Sequence, residues 1–266
     1  MPFSAVAPTL ARLWLAWPLA KRDILARYRG SLAGLAWALL TPLAMVAVYT
    51  LVFRGVFQAR WAGAAGADGL DYVLRLFAGL TVFSALAEVA TRATRLIQDN
   101  ANLVKRVVFP LDLLCVALLM QVLLHMLLQV AVLALMIVIF GDGVRLSWLW
   151  LPLALAWTLL LQYTVALLLA ALGCYLRDLQ HLVPLAMSGL MFLSPVFYPV
   201  HAAPPVLAVV LALNPLSTPI ELFRMVWFGD ALDVELALVH GVALLAMFFL
   251  ARWVFARLRP GFADLV

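Results

Sequence analysis

Charge is what this chain has least of. Asp, Glu, Lys and Arg together make up 12% of 266 residues against 67% apolar, and the mean hydropathy is +1.09. A soluble domain of that composition would aggregate, so lipid is the solvent for most of the chain. Cysteine is scarce too. Cys115 and Cys174 stand in apolar stretches, where a free thiol acts as a small hydrophobe, and neither a disulfide nor a metal site is expected. The G-x-x-x-x-G-K-[ST] loop that cradles nucleotide phosphates is missing, so any ATP and magnesium must sit on another chain. No H-E-x-x-H occurs, and His125, His181, His201 and His240 are dispersed. That scatter argues against an embedded enzyme, which needs converging catalytic groups. Ionisable groups at mid-membrane are almost missing, which argues against an ion-coupled carrier. The first residues lack a basic cluster and Arg12 interrupts the first apolar stretch, so no cleaved secretory signal is expected.

What is present is a series of uncharged runs of about 20 residues, the length at which a helix crosses a bilayer. A barrel would show alternating segments of about 10 residues instead. The fold class is therefore an all-α integral membrane protein, one domain over residues 1–266, because a backbone in lipid must pair its own amides. Six transmembrane helices are predicted, at about 31–56, 71–93, 108–140, 148–176, 179–198 and 235–256.

Basic residues set the orientation. Arg12, Lys21, Arg22, Arg27, Arg29, Arg92, Arg95, Lys105, Arg106, Arg177, Arg252, Arg257 and Arg259 fall on one side; Arg54, Arg60, Arg75, Arg145 and Arg224 fall on the other. The richer side is expected to be cytoplasmic and to hold both termini. The net charge of +5 mostly expresses this bias, so nucleic acid is not an expected partner.

Two regions depart from simple crossing. Within residues 1–29, Leu10, Leu13, Trp14 and Trp17 repeat at helical spacing opposite scattered basic residues, as in an amphipathic helix lying in the headgroup layer. Pro18 is expected to start a second turn there. Between the fifth and sixth spans, Pro199, Pro204, Pro205, Pro215 and Pro219 divide apolar segments too short to cross. Two short re-entrant or interfacial helices are expected, since such breaks are tolerated at depth only inside protein.

Several blocks now fall into order: Arg27-Tyr28-Arg29-Gly30-Ser31 with Gly34, Trp37 and Thr41-Pro42; Phe77-Ala78-Gly79-Leu80 with Glu88; Asn100 to Pro110; Leu176-Arg177-Asp178; Ser194 to Pro199; Asn214-Pro215-Leu216 with Glu221; and Phe262-Ala263-Asp264. Together they resemble the permeases of the ABC-2 exporter superfamily, and more specifically its polysaccharide and O-antigen exporters. The resemblance implies a homodimeric permease of the bacterial inner membrane and a separate ABC ATPase subunit. The implied cargo is a lipid-linked polysaccharide; export of capsule, teichoic acid, lipid or drug is the alternative. It also implies a coupling helix at Thr94 to Arg106, carried by Gln98, Asp99, Asn100, Asn102, Leu103, Lys105 and Arg106.

Arg177 and Asp178 could add a second motor contact or simply pair at a tight turn. Trp14, Trp17, Arg27, Tyr28 and Arg29 are candidates for a gate at the inner face. Glu88 and Arg92, four apart, suit a helix salt bridge. A sugar chain needs aromatic faces and uncharged hydrogen-bonding groups along its path. Tyr49, Phe53 and Phe57 with Trp61 offer the first, and Gln121, His125 and Gln129 with Thr158 and Gln162 offer the second. For the aromatics an interfacial belt is the other reading, and for the polar stripe it is hydrogen bonding between helices. Trp148, Trp150 and Trp253 are assigned to the belt.

Overall fold

The computed structural model describes residues 9–28, 36–56, 61, 69–105, 110–141 and 143–265. Every regular element among them is helical. The order is α1 Thr9–Tyr28, α2 Trp37–Tyr49 running into a π-helical stretch Thr50–Val56, α3 Gly69–Ala93, α4 Leu96–Asp99, α5 Ala101–Val104, α6 Asp112–Phe140, α7 Leu151–Tyr175, α8 Leu179–Phe192, α9 Pro205–Leu213, α10 Ser217–Phe228, α11 Val234–Leu258 and α12 Phe262–Leu265.

Four helices among the described residues are long and apolar enough to cross a membrane: Leu70–Ala93, Asp112–Phe140, Leu146–Tyr175 and Val234–Leu265. The protein is thus a multi-pass membrane protein. The expected first and fifth spans appear as shorter apolar helices, Leu39–Phe53 and Leu179–Phe192. Proline sets their character. Pro42 and Pro184 each remove an internal hydrogen bond, and Pro195 follows the end of α8. The expected pair of short helices is α9 and α10, bent by 94°. α1 departs from expectation, because it continues through Pro18 as one helix. Its small face of Ala16 and Ala20 packs on Ala117 of α6, a close approach of the kind that replaces hydrophobic driving force in lipid.

α3 is the centre of the bundle, its span 78% buried against 22% for α11. It packs against α6, α7, α8 and α10. One end of the bundle collects the C termini of α3, α7 and α11. There Gln98 Nε2 donates to the Gly173 carbonyl at 3.3 Å and the Tyr175 hydroxyl donates to Leu258 at 2.9 Å. The opposite end is tied by charge. Arg75 of α3 bonds Asp71 at 2.8 Å and also grips Asp230 after α10, while Ser147 donates to Val226 at 2.7 Å. α10 stops at Gly229, whose φ of 73° is the left-handed cap that glycine accepts without strain.

Candidate functional site: a polar cavity and an exposed polar platform

Gln121 and His125 lie one helical turn apart on α6 and both look onto α3. Arg92 Nη1 donates to Glu88 Oε1 at 3.0 Å, so the expected helix salt bridge forms. Arg92 Nη2 then donates to Gln121 Oε1 at 2.5 Å, and Gln121 Nε2 donates onward to Asp23 Oδ2 of α1 at 3.1 Å. His125 Nδ1 stands 3.6 Å from Glu88 Oε2. Five polar side chains on three helices therefore form one chain of contacts, and with Ile24, Ala87 and Thr91 they line a cavity of about 550 Å³. One turn further along α6, Gln129 accepts from Ser84 of α3 at 3.4 Å. Ionisable groups on membrane-spanning helices are expensive, which makes this cluster a candidate functional site.

Asp23 and Thr91 were not among the sequence candidates for this place. The signal for Asp23 was its position, one turn after Ala20 on the face of α1 that packs against α6. The other polar candidates on α7 are elsewhere. Thr158 and Gln162 are 1% and 0% exposed, locked in helix packing: Thr158 donates to Ala154 at 2.8 Å and Gln162 donates to the Met126 sulfur at 4.0 Å. Both are sealed in packing rather than set on an open wall: the Thr158 bond stays within α7, and Gln162 reaches across to α6.

The aromatic candidates gather at the Arg75 end. Tyr49 and Phe53 are half-buried, with Phe53 5.4 Å from Tyr72 and 6.5 Å from Phe197, and Phe197 stacks on Phe192 at 5.5 Å. Trp61 is buried, against expectation, because two guanidinium groups hold its ring: Arg224 at 4.4 Å and Arg75 at 5.9 Å. Arg224 itself, counted on the less basic side when orientation was read, is buried in α10. It donates to the Val196 carbonyl at 2.8 Å, which closes the irregular segment after α8. Phe57, Arg29 and Arg106 lie outside the described residues, and for Trp14, Arg27 and Tyr28 only the helical backbone of α1 is described. Trp17 is exposed, as are Trp150 and Trp253, in keeping with a lipid interface, whereas Trp148 packs edge-on against Trp227 at 4.8 Å.

The loop between α3 and α6 makes a platform. It folds as two single turns, α4 and α5, broken at Asn100, whose side chain donates back to Leu96 at 2.9 Å. Asp99, Asn102 and Lys105 are exposed, Ile97 and Val104 are buried beneath them, and Gln98, Asn100 and Leu103 lie between. Arg177 and Asp178 are exposed at the same end, after α7. Phe262 of α12 is fully buried below, 6.2 Å from Tyr175 and 5.6 Å from Phe255. A polar surface on an apolar base fits a water-facing protein contact. Among the described residues no group of three or more His, Cys, Asp or Glu could hold a metal ion.

A multi-pass bundle with a polar cavity on one flank and a polar platform at one end has the parts of a transport subunit. The family model for the ABC-2 type transporter matches residues 15–228, and the chain belongs to that family. It is 23% identical over 249 residues to the O-antigen export system permease protein RfbA of Klebsiella pneumoniae, covering 93% of each chain. The protein of the same name from Myxococcus xanthus is 24% identical over 249 residues, covering 92% of this chain and 93% of that one. The polysialic acid transport protein KpsM of Escherichia coli is 26% identical over 206 residues, 76% of this chain and 77% of that one.

Proposed function

We propose that the chain is the permease subunit of an ATP-driven exporter that carries a lipid-linked polysaccharide such as O-antigen across the bacterial cytoplasmic membrane. The observation that carries this is the match to an O-antigen export permease along 93% of both chains. In this reading α2 and α8 complete six crossings, both termini face the cytoplasm, and two copies enclose the path. The platform end is then the inner end. A separate ABC ATPase subunit, holding ATP and magnesium, docks on Asp99, Asn102 and Lys105 with Arg177 and Asp178 beside them, and α1 gates the inner face. Tyr49 and Phe53 would guide the sugar chain near the outer end. The likeness to a polysialic acid transport protein favours a polysaccharide of that kind as the second cargo.

The test is genetic and biochemical. Deleting the chain should abolish surface polysaccharide and leave glycan inside the cell, and the chain should purify with an ATPase encoded beside it. Unchanged surface polysaccharide, or no stable complex in native lipid, would sink the proposal.

A further inference from the structure

The cavity between α1, α3 and α6 has a chemistry that the transport reading does not by itself specify. Its volume of about 550 Å³ falls in the range of small-molecule sites, roughly 300–1,000 Å³. Its polar groups are partly open to it: Glu88 is 22% exposed, His125 13% and Asp23 34%. Its charges are paired: Glu88 with Arg92 at 3.0 Å, and Asp23 with the neighbouring Arg22 at 2.8 Å. Such pairing disfavours an anionic guest, because a phosphate would have to break an ion pair to gain a cation. It suits hydroxyl groups, each of which donates to a carboxylate and accepts from an amide or guanidinium at once. Ile24, Ala87 and the methyl of Thr91 add an apolar surface for the C–H face of a ring.

We infer that this cavity is a carbohydrate site, taking neutral sugar units of the exported chain rather than the phosphate of its lipid carrier. The inference rests on the glycan-export reading above. The site is built jointly by the N-terminal helix and two core helices, so a bound sugar unit would contact Asp23 of α1, Glu88 and Arg92 of α3, and Gln121 of α6 together. Sugar occupancy would thereby be felt by the element proposed to gate the inner face.

The experiment places the photoreactive residue p-benzoylphenylalanine at Ala87 or at Thr91 in cells that export their polysaccharide. A control carries it at Leu238, in the apolar groove between α7 and α11. After irradiation, chains labelled at Ala87 or Thr91 should carry glycan, seen as an anti-glycan signal at high mass, and the Leu238 control should not. Combining either label with Gln121→Leu should cut that signal several-fold. Adducts of phospholipid size only, or no glycan adduct in cells that still export, would overturn the site while leaving the export reading intact. Export that persists without the chain would overturn the export reading instead. Where the bulky label lowers yield, Ala87→Leu narrows the same cavity: several-fold weaker export is expected, and undiminished export overturns the site.

Discussion

The carbonyl oxygen of Thr94 occupies the place where a side chain on Gly173 would begin: a Cβ there would stand 2.1 Å away. The start of the platform loop is thus seated directly on the backbone of α7, with Gln98 bonding the same glycine's carbonyl. Gly173→Ala should push α4 off this seat. Overpacking of this kind costs about 1–3 kcal/mol. The expected outcome is a lowered melting temperature in detergent together with loss of export, and an unshifted melt would mean that the loop tolerates the displacement.

Arg224 donates to the Val196 carbonyl and stacks on Trp61, and both contacts use the flat guanidinium. Arg224→Lys keeps charge and loses the fork and the stack. A hydrogen bond to a charged group contributes about 1.5–3 kcal/mol, so Arg224→Ala should destabilise by at least that amount and Arg224→Lys by nearly as much. The check is thermal unfolding followed with a thiol-reactive dye, since both Cys115 and Cys174 are buried until the fold opens.

His240 of α11 bridges the two halves of the bent pair. Its Nε2 lies 2.8 Å from the Ala212 carbonyl and its Nδ1 lies 2.6 Å from the Thr218 hydroxyl. The carbonyl can only accept, so Nε2 carries a proton and, in the neutral ring, Nδ1 accepts from Thr218. His240→Leu leaves both partners unpaired, a cost of about 1–3 kcal/mol for each buried group. Replacing Thr218 as well, with Val, should recover part of the loss, and a double-mutant cycle showing no coupling would contradict the bridge.

Lys105 and Arg177 are exposed at the platform end. Reversing both, Lys105→Glu with Arg177→Glu, should leave the melting temperature nearly unchanged, because surface substitutions typically move stability by less than about 0.5 kcal/mol. Recovery of the ATPase subunit in pull-down should fall several-fold. Full recovery would move the docking surface elsewhere.

Membrane residence and helical class were legible from composition, because a run of uncharged residues has one solution in lipid. The Glu88–Arg92 pair was legible from spacing alone. The facing of polar residues was not. Gln121 and Gln162 look alike in sequence, yet one opens onto a cavity and the other is sealed, since the outcome depends on which neighbouring helix supplies partners. Trp61 was read as lining a path or sitting in a belt because aromaticity usually marks an interface, and Arg224 was counted only for orientation. Their mutual stacking across 163 positions of sequence has no local signature. The polar stretch from Thr94 does contain short helical turns, but their break at Asn100 arises from a side chain turning back onto Leu96.

α3 carries a consequence for force. It spans about 37 Å at 1.5 Å per residue over its 25 residues, and it is held at both ends: by Arg75 on Asp230 at one, and at the other by the Thr94–Gly173 seat that follows its last turn. A continuous helix held at two points passes a push along its length. Displacement at Thr94 should arrive at Asp230 as a tilt or a slide of the whole helix, so the platform loop and the turn after α10 move as the two ends of one lever.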